Sequence, residues 1–321
     1  MKFYLDLPPV HSVAGQINYR EKLIFSGSCF AENIGQFFDK NHFHCLVNSH
    51  GILFNPLVIS DSLRRIADID FYTHDDLIFN QGRFYSWFHH GKITKQDAEN
   101  LLIEINNNLT SAHKFLLDCR WVIITFGSAH GWWHSERNQI VANCHKMSGN
   151  LFQKKLVQSD AITDDWKKLI EKIRVLNPAV KFIFSVSPVR YIRDGLIENN
   201  RSKAELIRAV HSICEMENTI YFPAFEIVTD VLRDYRFFNE DLVHPSSQAT
   251  DLVLDSFCTY LLDNESRVVV EEMKKYNRML QHRVIQNDES EKHTNLIQAR
   301  KFELMKRFSD LKWNKYDVLN F

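Results

Sequence analysis

The sequence predicts an α/β protein built on a parallel sheet. Two observations carry that expectation. Short, strongly apolar runs recur along the chain and each stops at small or turn-forming residues. Between several of them lie segments of helical length with apolar residues on one face only. Buried strands alternating with amphipathic helices are the pattern of βαβ units.

The first run is Lys22-Leu23-Ile24-Phe25, which stops at Ser26-Gly27-Ser28. Phe30, Ile34, Phe37 and Phe38 then recur at helical spacing, so this unit reads as strand, tight turn and helix. The second run, Trp121 to Phe126, ends at Gly127. Ala161 to Leu176 is a helix with Trp166, Leu169, Ile170, Ile173 and Leu176 on one face. The third run, Val180 to Val186, ends at Ser187-Pro188. Lys203 to Glu215 repeats the helical pattern, and Thr219 to Phe222 is a fourth strand stopped by Pro223. Open parallel sheets bind their ligands at such strand ends.

Beyond about Leu262 the composition shifts. Glu265 to Gln286 and His293 to Leu311 read as charged helices with thin apolar stripes, separated by a polar break at Asn287 to Glu291. We therefore expect an α/β domain over residues 1–262 and a helical C-terminal extension over 263–321. The extension packs either on the domain or on a second copy as a homodimer.

Composition excludes several classes. With 39 Lys+Arg against 40 Asp+Glu the net charge is -1, which offers no field for nucleic acid or an anionic membrane. No run of about 18 apolar residues exists to span a bilayer. The first fifteen residues lack a leader pattern. The six cysteines include no C-x-x-C pair, which suits a reduced, cytoplasmic protein. Cys144 and His145 are close in sequence, but zinc needs three or four ligands, so neither metal nor cofactor is expected.

Two places bear chemistry. In Asp241-Leu242-Val243-His244-Pro245 an Asp three residues before a His can hydrogen-bond the imidazole and support its protonated form. The same pattern also serves as a plain helix cap. At Gly27-Ser28-Cys29 a nucleophile would sit at a helix N-terminus. Backbone N–H groups there can hold an oxyanion, and their partial positive charge lowers a thiol pKa. The structural alternative is that Ser28 caps the helix and Cys29 fills space. Elsewhere, His130, Trp132, Trp133 and His134 read as an aromatic loop able to stack on a sugar or cover an acyl chain. His89-His90 reads as a hairpin tip. Arg190 and Arg193 can meet an anionic group or serve as loop salt-bridge partners.

Gly27-Ser28-Cys29-Phe30-Ala31 reproduces the signature that names the GSCFA domain family. The resemblance continues in order through Asn48 to Pro56, Ile124 to Ala129, Val141 to Lys146, Val186 to Arg190, Ser202 to Ala204 and Asp234 to Pro245. The set most resembles the form found in Bacteroidota. That family is similar to the SGNH/GDSL hydrolases, and the resemblance implies a three-layer α/β/α, flavodoxin-like fold. It further implies His244 as general base, Asp241 as its orienter and Gly51 as an oxyanion donor. Laid on the G-D-S-L block, the nucleophile falls on Cys29; a one-residue slip gives Ser28. The third SGNH block ends in an Asn that is absent here, where Gly127-Ser128-Ala129-His130 stands. Ser128 or Asn143 is a candidate replacement, Asn55 a further donor beside Gly51, and His145 a pocket-lining residue. The expectation is an esterase or acyltransferase working through an acyl-enzyme on a small or carbohydrate ester. A non-catalytic carbohydrate- or protein-binding module on the same fold is the alternative.

Overall fold

The computed structural model of the protein describes Leu5, residues 15–281 and residues 287–313. Apart from Leu5 and Gly15, the N-terminal segment read above for a leader lies outside the described residues, as do residues 282–286 at the end of the first charged helix.

In chain order the elements are β1 (Leu23–Gly27), α1 (Cys29–Lys40), β2 (Cys45–Val47) and α2 (Pro56–Asp68). An antiparallel trio follows: β3 (Leu77–Asn80), β4 (Arg83–Ser86) and β5 (Thr94–Lys95). Next come α3 (Ala98–Leu116) and β6 (Trp121–Phe126). A second trio is β7 (His130–His134), β8 (Gln139–Val141) and β9 (Phe152–Leu156). The chain continues through α4 (Ser159–Leu176), β10 (Lys181–Val186), α5 (Leu196–Ile213), β11 (Thr219–Tyr221) and the short α6 (Ala224–Glu226), which runs into a π-helical turn at Ile227–Leu232. It ends in α7 (Ser247–Leu261), α8 (Asn264–Gln281) and α9 (Asn287–Arg307).

The main sheet has the order β11-β10-β6-β1-β2 and every pairing in it is parallel. Counted among its own five strands this is 2-1-3-4-5, the flavodoxin-like order, and its switch point lies between β1 and β6. Alternate residues feed two apolar layers, as the period of a strand requires. Leu23, Phe25, Trp121, Ile123, Ile183 and Ile220 face one cluster, which α1 and α7 complete. Ile24, Val122, Ile124, Phe126, Phe182 and Phe184 face the other, with α2, α4 and α5. Three layers, α/β/α, follow directly.

The C-terminal helices join the first cluster through Val269, Val270, Met273, Tyr276, Ile297 and Leu304, and Phe308 meets the Tyr19 ring edge-on at 6.0 Å. Of the two placements expected for this region, the described residues display packing on the α/β layers. The break expected at Asn287 to Glu291 is corrected: α9 begins at Asn287. Polar and acidic residues that read as an interruption also suit the first turn of a helix, where the backbone dipole favours negative charge.

The two small antiparallel sheets, β3-β4-β5 and β8-β7-β9, are additions to the parallel core. They share a third apolar cluster with α3, built on Trp87, Phe88, Leu101, Ile105, Val141 and Phe152. The aromatic segment His130 to His134 is thus the strand β7 rather than a loop. Its backbone pairs on both sides, with β8 and with β9.

Candidate functional site at the sheet switch point

The turn after β1 is fixed by one glycine. Gly27 has φ +133°, and a Cβ there would lie 2.2 Å from the Thr125 carbonyl oxygen. Only glycine permits that approach. Ser28 N–H then donates to Thr125 O at 3.1 Å, and the Ser28 hydroxyl oxygen accepts from Phe30 N–H at 3.3 Å as the N-cap of α1. Ser28 is fully buried and does not reach the cavity described below. Cys29, the first residue of α1, is half-buried and does.

That cavity, about 810 Å³, opens at the C-terminal edge of the sheet. Its lining draws on several loops: Cys29 after β1, Phe54 and Asn55 before α2, Ser128 after β6, Trp132 on β7, Asn143 after β8, Tyr191 after β10, and Asp241 and His244 before α7. Residues more than two hundred positions apart meet here because every parallel strand delivers its C-terminus to the same edge.

Asp241 and His244 form one hydrogen-bonded turn. Asp241 Oδ1 accepts from the N–H groups of Val243 (2.9 Å) and His244 (3.0 Å), while Oδ2 lies 2.7 Å from His244 Nδ1. These bonds hold the exposed Asp241 carboxyl down at about 2, the His244 backbone N–H contributing most. A carboxylate only accepts, so Nδ1 carries the proton and Nε2 is left free to take one. Leu242 accepts a left-handed backbone (φ 56°) to close the turn. Arg190 anchors it from the end of β10: its backbone N–H donates to Val243 O and its guanidinium to Leu242 O, both at 3.2 Å. Arg190 therefore holds the loop. Arg193 lines the cavity from an exposed position.

The Cys29 thiol is pushed up from its ordinary range, first by burial. This reverses the expectation of a lowered value. The backbone N–H groups of Phe30 and Cys29 and the charge of Lys203 act in the expected direction, but desolvation outweighs them. Cys29 is held as a thiol and needs a base to react. Among the described residues no hydrogen bond joins it to His244.

The expected oxyanion donors fall into two groups. Gly51 N–H donates to Asn48 O at 2.7 Å, and Gly51 does not line the cavity. Gly127 N–H and Ser128 N–H both donate to Phe54 O, at 2.9 and 3.1 Å. The Ser128 hydroxyl accepts from His130 N–H and meets Ser202 Oγ. Asn55 caps α2 through Oδ1 and donates to Ala129 O at 3.1 Å. These groups are spent on structure. Asn143 is different: Oδ1 accepts from His145 N–H at 2.8 Å, and its NH₂ has no acceptor among the described residues. His145 is buried away from the cavity, with Nε2 2.8 Å from Ser86 O. His89, expected at a hairpin tip, lies between β4 and β5 but is buried and stacks on His50 at 4.6 Å. Among the described residues no three or more His, Cys, Asp or Glu side chains gather in a group that could hold a metal ion. No described helix is long and apolar enough to cross a membrane.

Two residues at or beneath the site, Tyr191 in the cavity wall and Lys203 behind it, were not singled out by the sequence reading. Lys203 is buried on α5, and its ammonium donates to Gly127 O and Ser187 O, both at 2.7 Å. Burial drives its pKa down to about 7. Its spacing to Leu206 and Val210 places it on the apolar face of the helix, a signal present in the sequence. Tyr191 follows β10 and has no such periodic signal.

The fold and cleft define an α/β/α protein with a Cys, a His and an Asp at the switch point of a parallel sheet. The chain belongs to the GSCFA family, whose description matches residues 22–257. No curated protein matches it.

Proposed function

We propose that this GSCFA protein carries out acyl-ester chemistry, hydrolysis or acyl transfer, with Cys29 as nucleophile. The single observation that supports this reading is that Cys29 and the hydrogen-bonded Asp241–His244 pair open onto one cavity. His244 Nε2 takes the Cys29 proton. The thiolate attacks the ester carbonyl, forming a C–S bond while the carbonyl electron pair moves onto oxygen. The N–H of Cys29, at the positive end of α1, faces that charge. Collapse expels the alcohol, which recovers the proton from His244 and leaves a thioester. Water or an acceptor alcohol then resolves the thioester. Trp132 and Phe54 offer flat apolar surface suited to an acylated carbohydrate. The buried, capping position of Ser28 argues against it as nucleophile.

A second reading, a carbohydrate-binding module without catalysis, draws on the lack of a Cys29–His244 hydrogen bond. Turnover of p-nitrophenyl acetate separates the two. The enzyme reading expects a Cys29-bound acetyl group by intact mass, lost in Cys29→Ala and slowed in His244→Ala. Acetylation indifferent to His244→Ala would sink it.

A further inference from the structure

Acyl chemistry at Cys29 calls for more than one donor to the oxygen that becomes charged, since an oxyanion hole is a set of preorganised hydrogen-bond donors and loss of one of them typically slows the reaction by about 10²–10³. Most polar groups around the cavity are already engaged. The N–H groups of Gly127 and Ser128 are spent on Phe54 O, and Asn55 is spent on capping and on Ala129 O. The Tyr191 hydroxyl is not: it has no hydrogen-bond partner among the described residues, and its residue lines the cavity with Cys29.

Its placement is specific. Gly27 pairs with Thr125 across β1 and β6, so Gly127 lies two residues past that pair on one chain segment and Cys29, at the start of α1, two residues past it on the other. Tyr191 Oη sits against Gly127, at 2.6 Å from where a Cβ would be. The phenol is therefore held beside the end of β6, next to the strand that delivers Cys29, and a charge on Cys29 acts on it directly. The ring is fixed from several sides. Phe54 packs edge-on at 5.7 Å, Lys203 Nζ lies 5.3 Å from the ring centroid, and Tyr191 N–H donates to Asn199 Oδ1 at 2.9 Å. A donor locked in place before the substrate arrives is what transition-state stabilisation requires.

We infer that Tyr191 O–H is an oxyanion donor for the reaction at Cys29, acting together with the Cys29 N–H. This rests on the acyl chemistry proposed above. Burial also keeps the phenol protonated well above its ordinary range, so it stays a donor at any working pH. The electron pair that leaves the carbonyl when the C–S bond forms is met by two hydrogen bonds, and no proton leaves Tyr191.

The test compares two reactions of the same thiol in the full chain. Acetylation by p-nitrophenyl acetate builds an oxyanion; alkylation by iodoacetamide displaces iodide and builds none at the reacting carbon. Rates of both are followed by intact mass for wild type, Tyr191→Phe and Asn143→Ala. Tyr191→Phe removes one oxygen that has no hydrogen-bond partner among the described residues and keeps the ring against Phe54. The expected result is acetylation slowed by about 10²–10³ in Tyr191→Phe, with alkylation within about threefold of wild type. Equal slowing of both reactions would mean that Tyr191 acts on the thiol and would overturn the inference. So would unchanged acetylation in Tyr191→Phe, or the larger loss appearing in Asn143→Ala. Absence of acetylation at Cys29 in wild type would instead remove the acyl chemistry itself, and the donor role with it.

Discussion

Lys203→Met tests how the ends of β6 and β10 are held together behind the cavity. The wild-type ammonium sits on Gly127 O and Ser187 O with its residue buried, and its pKa falls from 10.5 to about 7 because burial penalises the charge. The neutral amine still has two hydrogens, enough for both carbonyls. In the unfolded chain the lysine keeps its proton until about pH 10.4. Between pH 7 and 9 the unfolded state therefore binds more protons than the folded state, and stability rises with pH across that window. A lysine depressed by burial imposes its full penalty below about pH 7 and loses it progressively as the pH rises towards the unfolded value. Integrating the proton difference from pH 7 to 9 gives about 2 kcal/mol. Buried thiols such as Cys119 and Cys258 are pushed up to about 12 and titrate with the opposite sign, so the difference between wild type and variant isolates the lysine. Urea denaturation at pH 7, 8 and 9 is the assay. Wild type should gain about 2 kcal/mol more than Lys203→Met across the range. The variant also leaves two buried carbonyls without their donor, at about 1–3 kcal/mol each, so its deficit against wild type should be widest at pH 9. Parallel pH profiles for the two proteins would refute the argument, since they would mean that the ammonium keeps its charge in the fold.

Further outcomes concern the site. Cys29→Ala should abolish acetylation with little effect on folding, whereas Ser28→Ala should retain it and lose about 1 kcal/mol of stability through the missing cap, seen as a melting point lower by about 1–2 °C. Gly127→Ala should cost about 1–3 kcal/mol in chemical denaturation, because its Cβ would meet Tyr191 Oη at 2.6 Å and Phe54 at 3.1 Å. It should also slow acetylation more than alkylation, by displacing the phenol. Asp241→Asn should slow p-nitrophenyl acetate turnover by two or more orders of magnitude, on the order of the loss known for a mis-set imidazole tautomer, and should leave the melting point within about 2 °C of wild type, as befits an exposed surface change.

The parts of the fold visible in the sequence are those whose residues obey a period. β1, β6, β10 and β11 are apolar runs buried on both faces, and α4 carries Trp166, Leu169, Ile170 and Ile173 on one stripe. β2 is only three half-buried residues, Cys45–Val47, too short for any period. The trios β3-β4-β5 and β7-β8-β9 hide for a related reason: their strands mix exposed and buried positions, and their order comes from Trp87 and Phe152 packing on α3. The helix α5 begins at Leu196, seven residues ahead of the amphipathic stretch, because exposed Leu196 and Ile197 break the expected polarity of its first turn. In the site, Asp241 and His244 were legible since three residues on one turn suffice to join them. Which donors remain free was not legible. That depends on where Asn48 O and Phe54 O happen to lie, and those two acceptors take up Gly51, Gly127 and Ser128.

The geometry also bears on when the site can work. Asp241 and His244 are each about half exposed, at 48% and 49% of their side-chain surface, so water screens the support that the carboxylate lends to an imidazolium. Cys29 lies deeper, and its burial favours the thiol. Base and nucleophile thus occupy different dielectric surroundings in the empty cavity. A substrate broad enough to lie between Trp132 and the His244 loop would cover the pair and expel that water. The Asp241–His244 interaction would strengthen at the moment the proton moves. A small ester such as p-nitrophenyl acetate fills little of 810 Å³ and leaves the pair wet. Under this mechanism the size of the group that shields His244 governs the rate, beyond any contact it makes with Cys29. Among esters of equal leaving-group ability, those carrying a ring-sized body at the Trp132 side should therefore be the better substrates.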